Sequence, residues 1–90
     1  MEYRIESFIW LDWVIEKITE KHGIEPEEAE DAFFNYPYKV RKASSGKYLL
    51  FGRSNSGRYL FIVFTWVGSD VKVISARDMT AKERRYFTRK

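Results

Sequence analysis

The sequence predicts an α+β domain in which two N-terminal helices and one C-terminal helix pack on an antiparallel β-meander, in the order β-α-α-β-β-β-β-α. Three observations point there. Apolar residues recur at helical spacing between residues 11 and 36, the spacing becomes strand-like after Pro37, and a Thr-x-x-Glu helix start appears at Thr80. With 90 residues, 44% of them hydrophobic and 18% aromatic, the chain has material for one modest core, so residues 1–90 read as a single domain. Such a composition excludes a disordered chain.

Taken in order, Tyr3 and Ile5 alternate with polar neighbours and predict a short strand over residues 3 to 9. Asp12 is expected to cap a helix that runs to His22, with Leu11, Val14, Ile15, Ile18 and His22 forming one stripe. Gly23 ends it, as a left-handed C-terminal glycine would. Pro26 restarts a helix at its first turn. Glu27, Glu28, Glu30 and Asp31 crowd the positive end of that helix dipole, while Ala29, Ala32, Phe33 and Tyr36 form its expected buried stripe. A solvated, dipole-favoured face explains the acidic run better than a cation site does. Pro37 stops this helix. Strands are then predicted over residues 38–43, 47–53, 58–66 and 71–77, joined by turns short enough for a meander. The third of them is apolar on both alternating sets, Leu60, Ile62 and Phe64 on one and Tyr59, Phe61 and Val63 on the other, so it should be central and covered on both faces. Thr80-Ala81-Lys82-Glu83 then has the form of a capping box and opens a last helix carrying Arg84, Arg85 and Arg89.

Charge is polarised along the chain. Residues 1–36 hold three basic groups against ten acids, and residues 37–90 hold thirteen against three. A basic C-terminal part opposite acidic helices is the electrostatic footprint of a phosphate-bearing partner. Several other classes are excluded. The longest apolar run, Leu60 to Val67, is broken by Thr65 and is far short of a membrane span of roughly 20 residues, so no membrane partner is expected. The N-terminus lacks a basic region followed by an apolar stretch, so a cytoplasmic location is expected. One histidine and no cysteine cannot build the usual zinc ligand sets, and no Gly-x-Ser-x-Gly elbow is present, so neither metal nor other cofactor is expected. Gly52 and Gly57 have the spacing of a phosphate loop, but Arg58 and Tyr59 replace its Lys and Ser/Thr and a strand follows where a helix is required.

What remains is His22 with a set of arginines. Arg53 and Arg58 should flank one turn of the meander, Arg77 should end the neighbouring strand beside Arg58, and Arg84 and Arg85 fall one turn into the last helix. Guanidinium groups next to one titratable imidazole are what RNA cleavage without a metal requires. The 2′-hydroxyl must lose a proton, the phosphorane must have its charge neutralised, and the 5′-oxygen must gain a proton as it leaves. A histidine favoured at a helix C-terminus by the dipole, and arginines solvated along a sheet edge, are the structural alternatives.

Lys21-His22-Gly23-Ile24 followed by Glu27-Glu28-Ala29, then Gly57-Arg58-Tyr59-Leu60, Val63-Phe64-Thr65, Val73-Ile74-Ser75-Ala76-Arg77 and Glu83-Arg84 are similar, in order and spacing, to the BrnT family of toxins. The resemblance spans the chain from about Trp10 to Phe87. It implies a RelE-like fold, metal-independent RNA cleavage by the toxin of a type II toxin–antitoxin system, and a cognate BrnA-like, ribbon-helix-helix antitoxin through which the complex reaches operator DNA. By position His22, Arg77 and Arg84 fall on family motif residues, with Lys21 and Arg58 beside them. Taken with the arginines read from the topology, the expected catalytic residues are His22, Arg77 and Arg84, and the expected substrate-positioning set is Lys21, Arg53, Arg58 and Arg85. Phe87 stands where the family's last helix commonly carries a tyrosine, and Trp10-Leu11-Asp12 carries an inserted leucine. The alternative function on the same fold is a non-catalytic RNA-binding or antitoxin-binding module.

Overall fold

The computed structural model describes residues 4–89. Its elements are β1 (Ser7–Ile9), α1 (Asp12–His22), α2 (Pro26–Ala32), β2 (Lys39–Lys42), β3 (Tyr48–Arg53), β4 (Tyr59–Val67), β5 (Asp70–Asp78) and α3 (Ala81–Thr88). Strands β2 to β5 form the expected antiparallel meander, with Phe51 opposite Phe61 and Phe61 opposite Arg77. The sheet as a whole is mixed. Its order is β1-β5-β4-β3-β2, and β1 adds to the edge of β5 in parallel, which corrects the expectation of a purely antiparallel sheet. Ser7 Oγ donates to the Asp70 carboxylate at 2.8 Å and so fixes the register of that pairing. Tyr3, where the expected first strand would begin, lies outside the described residues.

Helix α1 starts one residue differently from the expectation. Leu11 is the N-cap and Asp12 the first helical residue, with no side-chain cap; Asp12 acts only as an acid near the positive dipole end. Gly23 closes the helix at φ 62°, its N–H donating to the Thr19 carbonyl at 3.1 Å and the following Ile24 N–H to the Ile18 carbonyl at 3.0 Å. Helix α2 begins at Pro26 behind a capping box between Glu25 and Glu28 and ends at Ala32. Tyr36, expected in its buried stripe, is instead 83% exposed. Proline disfavours helical backbone in the residue before it, so the chain unwinds through Phe33 to Tyr36 ahead of Pro37. The capping box at Thr80 forms as expected, with Thr80 Oγ1 accepting from the Glu83 N–H at 3.1 Å and Glu83 accepting from the Thr80 N–H at 2.9 Å.

Alternation along β4 divides the molecule. Leu60, Ile62 and Phe64 are buried with Val14 and Ile18 of α1, Ala29 and Ala32 of α2, Leu50, Val71 and Val73. Tyr59, Phe61 and Val63 face the other way and are only partly covered. There α3 lies on the sheet, with Tyr86 edge-on to Phe51 at 4.9 Å and Phe87 edge-on to Tyr59 at 5.9 Å. The acidic helices therefore cover one face and the arginine-bearing helix part of the other. A bulge where Val63 pairs with Ser75 but Phe64 with Val73 leaves Ile74 extra in β5, and Lys17 of α1 donates to the Ile74 carbonyl at 3.1 Å.

Candidate active site

The C-terminal ends of β3 and β5, the start of β4, the end of α1 and the start of α3 converge at one end of the sheet. On the face carrying α3, Arg53 and Tyr59 are cross-strand partners. The guanidiniums of Arg53 and Arg84 lie 4.7 and 4.0 Å from the centre of the Tyr59 ring, and that of Arg77 lies 4.2 Å from the centre of Phe61. Stacking on an aromatic face holds a guanidinium without consuming its N–H donors, which remain available to an anion.

Counting donors separates the arginines, each of which has five N–H groups. Arg58 spends all of them. Its Nε and Nη2 grip the Asp78 carboxylate at 2.6 and 3.0 Å, Nη2 also donates to the His22 carbonyl at 2.6 Å, and Nη1 donates to the Gly23 carbonyl at 2.8 Å and to Glu28 at 3.5 Å. The side chain thus ties the C-terminus of α1 and the first turn of α2 to the sheet, and no N–H is left for the phosphate that sequence spacing assigns to it. Arg77 is intermediate. It makes a two-pronged pair with Glu83 at 2.8 and 2.9 Å and donates to the Asp78 carbonyl at 3.1 Å, leaving two N–H groups. Arg53 makes one long bond, to the Gly57 carbonyl at 3.4 Å, and Arg84 has no side-chain hydrogen bond among the described residues.

The titration of these groups follows the same contacts. The hydrogen bond from Arg58 holds the Asp78 carboxyl below its ordinary value, with a smaller contribution from the charge of His22, and the hydrogen bond from Arg77 does the same for Glu83. Reciprocally, Asp78 and Glu83 raise Arg58 and Arg77. His22 is partly buried at the end of α1, its carbonyl held by Arg58 and its imidazole within electrostatic reach of Asp78. Asp78 therefore links the two sides of the sheet end, its carboxylate facing Arg58 and its carbonyl facing Arg77. Lys21 and Arg85 are exposed and make none of these contacts. Asp78 and Tyr59 were not singled out by sequence reasoning as site residues, and Glu83 only as a cap; Arg58 is 20 residues from Asp78, and the Arg77–Glu83 pair crosses from the end of β5 into α3, so neither pairing follows a helix or strand spacing.

Among the described residues no three His, Asp or Glu side chains are placed to hold a metal ion, and no helix is long and apolar enough to cross a membrane. No curated protein is significantly similar to the chain. The crystal structure of the Brucella abortus ribonuclease toxin BrnT superposes with a TM-score of 0.69 at 23% identity, covering 82% of this chain and 96% of that one, which establishes a shared fold. Residues 13–83 match the family model described as the ribonuclease toxin BrnT of type II toxin–antitoxin systems. Since that match takes in most of the sheet, both helices of the acidic face and the start of α3, the chain belongs to the BrnT family.

Proposed function

We propose that this protein is a metal-independent endoribonuclease of RelE-like fold, the toxin of a type II system, neutralised in the cytoplasm by a BrnA-like ribbon-helix-helix antitoxin that also carries the complex to operator DNA. One observation supports the reading: guanidiniums with unspent donors, on Arg84, Arg53 and Arg77, gather on the α3 face at the same sheet end where, from the other face, Arg58 holds the backbone carbonyl of His22 and the charge of His22 reaches Asp78. In this scheme His22 moves a proton, from the attacking 2′-hydroxyl or to the departing 5′-oxygen. Arg77 and Arg84 face the charge that grows on the phosphorane. Arg53, Lys21 and Arg85 hold neighbouring phosphates. Arg58, its donors spent, is a positioning residue that holds the His22 backbone.

The matching of Arg58 and Arg77 by Asp78 and Glu83 favours a second reading, in which a stable basic surface binds RNA or antitoxin without chemistry. Product analysis separates the two. Attack by the 2′-hydroxyl leaves a 2′,3′-cyclic phosphate and a 5′-hydroxyl, so RNA incubated with the protein in EDTA should acquire these ends. RNA that is bound and remains intact would establish the non-catalytic module.

A further inference from the structure

Beside Arg53 and Tyr59, on the side away from β5, the chain encloses an open groove between the α2–β2 connection, the β3–β4 turn and the end of α3. Asn35, Tyr36, Arg53, Asn55, Tyr59 and Arg89 are among its lining residues. Its volume of about 710 Å³ is ample for a nucleotide. Three features of this groove bear on what it could hold, and the first two are unused by the chemistry proposed above. First, Tyr36 is a large aromatic at 83% exposure, braced edge-on against Tyr38 at 5.9 Å, so a ring face is offered at no cost in burial. Second, the amide of Asn35 donates to the Arg53 carbonyl at 3.0 Å and to Asn55 Oδ1 at 2.8 Å, and the Asn55 backbone N–H is anchored on Asp31 at 3.2 Å. With those donors used, the pair retains an acceptor, Asn35 Oδ1, next to a donor, Asn55 Nδ2. Third, Arg53 and Arg89 supply positive charge along the groove.

A stacking ring, an adjacent donor and acceptor, and flanking cations are the parts with which proteins read one unstacked base of single-stranded RNA. We propose that this groove is a base-reading subsite for the nucleotide next to the scissile phosphate, with the base on Tyr36, its edge on Asn35 and Asn55, and its phosphate on Arg53. The proposal rests on the ribonuclease reading for the identity of its ligand. It places the reader on a turn and a connection whose positions are locked to each other through Asn35, so the subsite is preformed.

The test is binding of a 2′-O-methyl RNA hexamer, which cannot be cleaved by its own 2′-oxygen, to the wild type and to Tyr36→Ala, Tyr36→Trp and Asn55→Ala. Loss of a stacked base should weaken binding about tenfold in Tyr36→Ala, with Tyr36→Trp keeping wild-type affinity. Asn55→Ala should flatten the difference in affinity between hexamers that vary at a single base. Equal affinity of all four proteins, or no binding by the wild type, overturns the subsite. Cleavage of natural RNA is followed in parallel: binding with the expected variant pattern but no cleavage would leave the subsite standing and overturn the ribonuclease reading, whereas cleavage with unaltered variant binding does the reverse.

Discussion

Arg84 and Arg58 show how little a residue's type says about its task. Both are arginines near the sheet end, yet one stacks on Tyr59 with its donors unspent and the other has none to give. Arg84→Ala is therefore expected to lower RNA cleavage by about 10²- to 10³-fold, the cost of losing a transition-state donor, with a folding midpoint in urea close to wild type. Arg84→Lys should restore only part of the rate, because an ammonium neither stacks nor forks in the same way. Equal loss of rate and of folded protein in Arg84→Ala would mean a structural role. Asp78 makes the complementary prediction. Its carboxyl is held below the ordinary value of 3.8, so the folded state prefers it ionised. The stability it lends is present above that ordinary value and is lost as pH falls through the lower folded value. Asp78→Asn should thus be less stable than wild type at neutral pH, and the two urea midpoints should converge as the pH drops below about 4. A difference that persists unchanged into acid would show that the Arg58–Asp78 pair contributes nothing through its charge.

At the scale of elements, the contact between α2 and the sheet depends on an absence. A Cβ at Gly52 would lie 3.0 Å from the Ala32 carbonyl oxygen and 3.3 Å from the Ala32 Cβ, so helix and strand approach closely only because residue 52 has no side chain. Gly52→Ala should destabilise the fold by about 1–3 kcal/mol, measured by urea unfolding, since the obstacle is backbone and cannot swing away. A neutral or stabilising effect would show that α2 can slide on β3. Elements set by local chemistry were legible in the sequence: Gly23 as a left-handed terminator, Pro26 at a first turn and the Thr80–Glu83 box all stand as read. Features set by distant partners were not. The parallel pairing of β1 with β5 joins residues more than 60 apart, and no turn motif announces it. Tyr36 fits the spacing of the α2 stripe, but Pro37 had already ended the helix that would have buried it. The arginine cluster was visible as residue types near strand ends, whereas the carboxylates that tie Arg58 and Arg77 could be found only once Asp78 and Glu83 were placed in space.

Over the whole molecule, the charge asymmetry of the sequence becomes an asymmetry of faces, with acidic α2 on one side of the sheet and Arg53, Arg77, Arg84 and Arg85 at or near the other. RNA affinity should then fall steeply with salt, the logarithmic slope approaching −0.7 for each phosphate neutralised on a single strand. Charge reversal should act by face: Arg84→Glu and Arg85→Glu should weaken RNA and antitoxin together, while Glu27→Lys and Glu30→Lys should leave both nearly unchanged. If the acidic-face variants are the ones that release antitoxin, its inhibition acts from the opposite side of the sheet. The most direct measurement is the initial rate of RNA cleavage in EDTA by the wild type and His22→Ala at matched folded concentration. Catalysis by the imidazole and the arginines predicts that the wild type cleaves in chelator and that His22→Ala is slower by about 10²- to 10⁴-fold. Cleavage that disappears in EDTA and returns with magnesium, or that proceeds undiminished in His22→Ala, would contradict it.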